Sequence, residues 1–255
     1  MKIVVGIPVR MGSSRFPGKP LCDILGKTMI EHVYRRCALS KYATSLFVAA
    51  CDIEIQQAVE NFGGAVIMTD PKIQRPGLRV ASAAESLDLD DDDIVVVVQG
   101  DEPLVHPDMI DLAIQPLLNE KDVYVSNLTA ELTEDEWKDP GEIKVVCDLK
   151  MNAMYMSRAP MPSTDHEEQR TAWYKQVCIM PFRWHFMKKF NHELKATPLE
   201  LQESIEMIRA LQHGYKVRMV PSPYSSKSVD TESDRQIVEK MMLEDLLYKN
   251  NKDLQ

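Results

Sequence analysis

The sequence predicts an α/β fold with a mostly parallel central sheet and a smaller antiparallel insertion. Short apolar segments alternate with amphipathic helical patterns through the first half of the chain, as in a doubly wound sheet. Within them, Ile94 to Val98 is β-branched throughout, which is typical of a strand buried on both faces. From Val123 to Pro181 the alternation is less regular, which favours the antiparallel insertion.

Apolar segments bounded by turn residues are the predicted strands: Ile3–Pro8, Leu46–Cys51, Ala65–Met68, Ile94–Gln99, Val123–Leu128, Ile143–Cys147, Val177–Pro181 and Lys216–Val220. A helix is predicted from Met29, where apolar residues recur at i, i+3 and i+4. Thr197 to Glu200 is a capping box, which predicts the start of a helix that ends at Gly214. The predicted buried stripe of that helix is Leu201, Ile205, Ile208 and Leu211. A second capping box at Thr231 to Asp234 predicts the last helix.

A length of 255 residues fits one large α/β domain or two small ones. Because no low-complexity linker or clean boundary interrupts the chain, we predict a single domain over residues 1–255. No apolar run approaches the roughly 20 residues that span a bilayer. The apolar stretch after Lys2 ends at Pro8, too short for a signal-peptide core, so we expect a cytoplasmic protein that does not bind membranes.

Charge and cysteine usage narrow the function classes. The formal net charge is -9, which argues against a nucleic-acid backbone as partner. The five cysteines are odd in number and widely spaced, which predicts reduced thiols with neither a disulfide framework nor a zinc site. The acidic run Asp90 to Asp93 is interpreted as a solvated loop in preference to a metal site.

The segment after the first predicted strand carries the strongest functional signal. Ligands of open α/β sheets bind at the carboxyl ends of strands. Backbone amides around Gly12 and Ser13 are suited to cradle phosphate oxygens, and Arg10, Arg15 and Lys19 are suited to neutralise them. The alternative is a flexible basic loop, but three cations so close together are costly to hold without an anion.

This segment does not match the common phosphate-binding motifs. Five residues separate Gly12 from Gly18, where the P-loop needs four, and Pro20 stands where Ser or Thr would hold Mg²⁺. The glycine spacing of a dinucleotide-binding loop is absent as well.

The segment from Arg10 to Leu21 resembles the N-terminal signature R-x-G-S-[ST]-R-[FL]-P-G-K-P-L of the CMP-Kdo synthetases, where Kdo is 3-deoxy-manno-octulosonate. Further matches to that family follow in the same order along the chain: Gly26–Ile30, Val98–Pro103, Ser157–Ala159 and Val229–Thr231. The resemblance runs from residue 7 to residue 235.

The resemblance implies a Rossmann-like nucleotide-diphospho-sugar transferase fold and a Mg²⁺-dependent reaction. CMP would pass from CTP to an acidic sugar, Kdo or a related 3-deoxy-ulosonic acid, for surface polysaccharide synthesis. It also implies a homodimer, with the insertion at about residues 123–181 contributing to dimerisation.

On the nucleotide side the resemblance assigns Arg10, Arg15 and Lys19 to the triphosphate and to catalysis. It assigns Asp101 to catalysis and to Mg²⁺, with Asp230 as a second metal contact. From the residues alone, Asp101 after its strand could equally be a turn carboxylate. An Asp beside a helix start, as Asp230 is, is usually a capping residue, and only the resemblance favours the metal role.

On the acceptor side the resemblance assigns Gln99, Arg158 and Glu206 to the acidic sugar. Two alternatives stay open at this stage. Arg158 is also suited to a surface salt bridge, and Glu206 to an exposed helix pair with Arg209 at i+3.

The chain departs from the family pattern at the base and acceptor positions. Where the family carries S-G-T-[DE]-R near the cytosine, this chain has Arg75 to Arg79 and keeps only Arg79. Gln176 and Met180 replace a His and a Tyr, and Met207 replaces a Gln. Because sites that read hydroxyls discriminate strongly, these changes predict an altered acceptor pocket. Two alternatives remain: a nucleotidyltransferase of this fold with another nucleotide or acidic acceptor (a phosphonate or amino-sugar acid), and a catalytically silent binding homologue.

Overall fold

A computed structural model describes residues 1–12, 15–163, 172–224 and 226–255. Its strands are β1 Ile3–Pro8, β2 Asp23–Ile24, β3 Lys27–Thr28, β4 Ser45–Ala50, β5 Val66–Met68, β6 Ile94–Val98, β7 Ser126–Glu131, β8 Lys144–Cys147, β9 Ala153–Ser157, β10 Tyr174–Val177, β11 Ile179–Arg183 and β12 Arg218–Pro221. Its α-helices are α1 Met29–Cys37, α2 Ile53–Asn61, α3 Pro76–Ala84, α4 Pro107–Ala113, α5 Gln115–Asn119, α6 Glu134–Lys138, α7 Trp184–His192, α8 Pro198–Glu203, α9 Met207–Gln212, α10 Glu232–Glu244 and α11 Leu246–Asn250. None of the helices within these ranges is long and apolar enough to cross a bilayer.

The central sheet has the order β11-β6-β1-β4-β5. All its pairings are parallel except that of β11 with β6. Gly6 of β1 lies between Phe47 of β4 and Val97 of β6. This mostly parallel sheet confirms the predicted fold class.

A second sheet has the order β12-β7-β10-β8-β9 and is antiparallel except where β12 pairs with β7. The stretch from Val123 to Pro181 therefore does form antiparallel structure, but its sheet also contains β12, which lies far downstream in the chain. The single strand predicted over Val177–Pro181 is wrong, because the chain breaks at Cys178 and continues as β11 in the central sheet. The strand β9 was not predicted.

Apolar side chains on the two faces of the central sheet form two core clusters. Val5 and Val96 belong to one cluster, and Val4 and Val97 belong to the other. Alternation along the strands sends successive side chains to opposite faces. That explains why the run from Ile94 to Val98 is apolar at every position.

The single helix predicted from Thr197 to Gly214 is also wrong. Ser204 adopts a left-handed conformation with φ of 55° and separates α8 from α9. Leu201, predicted to be buried, is 63% exposed, whereas Glu200 is buried. The break turns α8 so that its capping glutamate faces inward.

The acidic run is only partly solvated. Asp90, Asp91 and Asp92 are exposed, as predicted. Asp93 is buried, and its carboxylate accepts from the backbone N–H groups of Lys2 at 2.5 Å and Asp90 at 2.8 Å. It therefore orders the turn that leads into β6.

Candidate active site

Two strand ends of the central sheet meet at the candidate site. β1 and β6 are parallel neighbours, so the cationic segment after Pro8 and the residues after Val98 leave the sheet at one edge. A Cβ at Gly100 would lie 2.9 Å from Val9 Cγ2 and 3.1 Å from the Pro8 carbonyl oxygen. Only glycine permits this close approach of the two strand ends.

A distant part of the chain returns to this edge. The N–H of Val229 donates to the Asp101 carbonyl at 2.9 Å. Thr231 then caps α10 through its side chain, which accepts from the Asp234 N–H. Asp230 is thereby held beside Asp101, between the backbone contact and the helix start.

One ammonium group joins the two carboxylates. Lys19 Nζ lies 2.7 Å from Asp101 Oδ2 and 3.0 Å from Asp230 Oδ1. Arg15 approaches the same Asp230 oxygen at 3.1 Å. Burial lowers the pKa of Lys19, but the charges and hydrogen bonds of Asp101 and Asp230 outweigh it, so the pKa of Lys19 lies above its ordinary value.

These groups line a cavity of about 320 Å³. Of the predicted site residues, the structure brings the following together around this first cavity: Arg10, Gly12, Arg15, Lys19, Arg79, Gln99, Asp101 and Asp230. Arg10 also contacts Gln74, whose side-chain oxygen accepts from its guanidinium. Ser13, assigned to substrate binding, lies outside the described residues.

Arg79 is already engaged within the protein. Its buried guanidinium donates to Thr69 Oγ1 at 2.5 Å and to the Ile73 carbonyl oxygen. These bonds fix the segment between β5 and α3. Arg79 therefore shapes the wall of the first cavity, and its contact with the nucleotide base stays a prediction.

A second cavity of about 340 Å³ adjoins the first, and Gln74, Pro76 and Gln99 line both. The remaining predicted residues line the second cavity: Arg158, Gln176, Met180, Glu206 and Met207. The nucleotide-side and acceptor-side predictions thus separate into two neighbouring cavities that share Gln99.

Arg158 is held by the end of α8. Its backbone N–H donates to Glu203 Oε2 at 2.9 Å, and its Nε donates to the Glu203 carbonyl oxygen at 3.1 Å. The Glu203 carboxylate also accepts from Ser157 Oγ at 2.8 Å. These bonds orient Arg158 at the wall of the second cavity.

The three substituted positions differ in character. Gln176 donates to Asn127 Oδ1 at 2.5 Å, so part of its amide is already used. Met180 and Met207 belong to a core cluster and are only 4% and 1% exposed. Their part in the second cavity is mainly to form its apolar floor.

Glu206 does not make the pair with Arg209 that was open as the alternative to a sugar contact. Arg209 instead forms two hydrogen bonds to Glu200, at 2.6 Å and 2.9 Å. Glu206 Oε2 accepts weakly from the Gly77 N–H at 3.4 Å, and its buried Oε1 has no hydrogen-bond partner among the described residues. Burial raises the pKa of Glu206 above its ordinary value, against the opposing effect of the Gly77 N–H and two nearby arginines.

Among the charged and amide side chains that line the second cavity, sequence reasoning missed three: Gln74, Arg75 and Glu200. Arg75 contacts Glu200 Oε1, the carboxylate that also binds Arg209. The only signal available was that Arg75 lies where the chain departs from the family pattern.

The pair Asp101 and Asp230 fits a magnesium ion. Both carboxylates already converge on one cationic atom, Lys19 Nζ, and carboxylate oxygens are the ligands that Mg²⁺ prefers. Within the described ranges no group of three or more His, Cys, Asp or Glu side chains is arranged to hold a metal. The remaining ligands would therefore be water and the phosphate oxygens of a bound nucleotide.

Cations at a strand-end edge, a converging carboxylate pair and an adjoining second cavity are the features expected of a nucleotidyltransferase. Residues 4–227 match the family model described as Cytidylyltransferase. The chain belongs to the cytidylyltransferase family and is a CTP-dependent nucleotidyltransferase.

Similar proteins agree with that assignment. The chain is 40% identical over 241 residues to 8-amino-3,8-dideoxy-manno-octulosonate cytidylyltransferase of Shewanella loihica, covering 94% of this chain and 98% of that protein. It is 40% identical over 243 residues to 3-deoxy-manno-octulosonate cytidylyltransferase of Syntrophus aciditrophicus, covering 95% and 98%. A solved structure of CMP:2-keto-3-deoxy-manno-octonic acid synthetase complexed with CTP superposes with a TM-score of 0.90 at 32% identity, covering 96% of this chain and all of that one.

Proposed function

We propose that this enzyme transfers CMP from CTP to a 3-deoxy-octulosonic acid and releases pyrophosphate. The observation that carries the proposal is the pair of adjoining cavities. The first is lined by four cations and two carboxylates, and the second has Arg158, Arg75 and a Glu206 oxygen with no hydrogen-bond partner among the described residues. A nucleotide and a polar acidic acceptor would meet at Gln99, which lines both.

In the proposed reaction the anomeric hydroxyl of the acceptor attacks the α-phosphorus of CTP. A new P–O bond forms, the bond to the β-phosphate oxygen breaks, and the hydroxyl proton leaves to solvent. Most of the rate enhancement would come from positioning and charge stabilisation, as is general for phosphoryl-group chemistry.

Arg10, Arg15 and Lys19 would bind the triphosphate and the departing pyrophosphate. Arginine provides forked contacts, and lysine a compact charge. For Lys19 this requires exchange of at least one of its carboxylate partners for phosphate oxygens. Lysine is protonated throughout the neutral range even at its ordinary pKa, so this exchange of partners would leave Lys19 charged for that role.

Asp101 and Asp230 would hold Mg²⁺ against the phosphates. When bound, the ion neutralises phosphate charge and supplies Lewis acidity near the reacting oxygen. Once Lys19 and Arg15 turn to the phosphates, the two carboxylates would lose the cations that pair with them here. A metal ion is the expected replacement, since two unpaired carboxylates this close repel one another.

The two relatives described above are named for different acceptors, one with a hydroxyl and one with an amino group at C8. Both names have a 3-deoxy-octulosonate skeleton in common, and the second cavity offers an arginine-lined wall to such an acid. Mixing the enzyme with CTP, Mg²⁺ and either acceptor should release pyrophosphate and give a CMP-sugar detectable by mass spectrometry. If no pyrophosphate is released with either acceptor, the proposal is refuted.

The same proposal places the enzyme in the cytoplasm, where CTP is available, as a single-domain homodimer. Sedimentation analysis of the purified protein would measure its mass. A monomer at the concentrations used for activity would refute dimerisation without affecting the reaction.

A further inference from the structure

Arg75 lies at the boundary of the two cavities. It lines the second cavity, and its sequence neighbours Gln74 and Pro76 line both. Its side chain is 32% exposed, so part of it remains accessible from the cavity that it lines. Arg75 immediately precedes α3, and Pro76 at the helix start fixes its backbone direction.

The partner of Arg75 is already neutralised by another residue. Glu200 is buried and accepts from Arg209 at both oxygens, and its Oε2 also accepts from the Thr197 N–H at 3.2 Å. Arg75 then shares Oε1 with Arg209. One carboxylate thus faces two guanidinium groups, which leaves one positive charge in excess at the cavity wall.

Glu206 is the other acidic group on this wall. Its burial disfavours the ionised form, so it is poorly suited to cancel the excess charge. Arg209 cannot serve as an accessible anion site, because it is only 5% exposed and donates to Glu200 and to the Phe190 carbonyl oxygen. Arg75 is therefore the member of this cluster that can meet a ligand.

We propose that Arg75 binds the carboxylate of the acceptor and so selects acidic sugars. The inference rests on the proposed function and deepens it. In a ulosonic acid the carboxylate carbon is bonded directly to the anomeric carbon that carries the attacking hydroxyl. A receptor for that carboxylate must therefore lie where the acceptor cavity meets the nucleotide cavity, which is where Arg75 lies.

Arg75→Gln tests this role, because glutamine keeps a hydrogen-bond donor and removes the charge. Glu200 keeps Arg209 and Thr197 as partners, so the melting temperature should stay close to that of the parent. Lys72→Gln, at an exposed position in the same segment, is the matched charge control. Initial rates would be measured with CTP and Mg²⁺, using Kdo, its 8-amino analogue and the methyl ester of each.

Loss of a charge-assisted bond predicts that KM for the acid acceptor rises about tenfold to a hundredfold in Arg75→Gln, while KM for CTP changes less than threefold. The parent should prefer acid over ester by a similar factor, and Arg75→Gln should lose most of that preference. Lys72→Gln should retain it. Arg75→Lys should recover part of it, because the charge remains without the forked geometry.

A rise in KM for CTP with no change for the acceptor would overturn the inference and place Arg75 on the nucleotide. An unchanged acid-to-ester preference in Arg75→Gln would also overturn it, even if activity falls. If the parent itself turns over none of the four acceptors, the proposed function fails, which is a result distinct from either of these.

Discussion

Replacing Asp101 with asparagine should separate the metal role of this carboxylate from its structural role. The change keeps shape and removes charge. Asp101 is 30% exposed and pairs with Lys19, which retains Asp230 at 3.0 Å as a second partner. Partly exposed pairs contribute about 1 kcal/mol or less. For a chain of this length that corresponds to a fall of about 2–4 °C or less in melting temperature.

The effect on turnover should be much larger. A neutral amide replaces one of two charged ligands, and charged contacts of this kind contribute about 1.5–3 kcal/mol. At subsaturating Mg²⁺ the specificity constant of Asp101→Asn should therefore fall about tenfold to a hundredfold. The Mg²⁺ concentration that gives half-maximal rate should rise.

Two measurements on the same preparations test these expectations. Continuous measurement of pyrophosphate release across a Mg²⁺ titration gives the fall in the specificity constant, and thermal melts give the fall in melting temperature. Asp88→Asn is the matched control, because Asp88 is fully exposed and its one ion pair among the described residues is with Lys2, which precedes β1. An unchanged Mg²⁺ dependence in Asp101→Asn would refute the metal assignment and leave Asp101 as a turn residue. A melting temperature lowered by more than about 10 °C would refute the claim that its structural contribution is small.

Four other changes follow from the same geometry. Arg15→Ala should weaken CTP binding about tenfold in calorimetry. This is the lower end for a charged contact, because the Arg15 side chain is largely exposed. An unchanged Kd for CTP would show that Arg15 does not belong to the triphosphate site. Glu206→Gln should gain stability relative to the parent as pH rises above 4.5, because the raised pKa of Glu206 makes its ionisation costlier in the folded state; parallel stability-versus-pH curves from urea unfolding would contradict this. Met207→Gln should lose about 1–3 kcal/mol of unfolding free energy, because it buries an unpaired amide. Gln176→His should alter KM for the acceptor and change the unfolding free energy by no more than about 1 kcal/mol. If urea unfolding shows the larger loss for Gln176→His, the two positions were misassigned.

Sequence reasoning reached the nucleotide side of the site because that side is built from strand ends. An apolar run that stops at Val98 fixes where Asp101 emerges, and the segment after Pro8 must emerge at the same edge of a parallel sheet. The approach of Asp230 was available only through the family resemblance. No local pattern shows that Val229 will bond to the Asp101 carbonyl.

The acceptor side was harder because tertiary contacts there override local preference. The pattern from Thr197 to Gly214 is helical throughout, yet Ser204 takes a left-handed conformation. That break turns Glu200 inward, where it binds Arg209 and Arg75. Sequence spacing offered a Glu206–Arg209 pair as the alternative to a sugar contact, because residues three apart are neighbours on a regular helix.

The division of Val177–Pro181 at Cys178 has a similar origin. Apolar residues on both sides of the break give one continuous strand signal. The structure instead pairs β10 with β7 and β8 in the second sheet, and β11 with β6 in the central sheet. Strand pairing depends on partners distant in the chain, which a single segment does not specify.

Product formation tests the central claim most directly. The purified protein, with CTP, Mg²⁺ and a 3-deoxy-octulosonic acid, should release one pyrophosphate for each CMP-sugar identified by mass spectrometry, and should do so only when nucleotide, metal and acceptor are all present. Pyrophosphate release that does not depend on the acceptor, or an acceptor that is consumed without carrying CMP, would contradict the account.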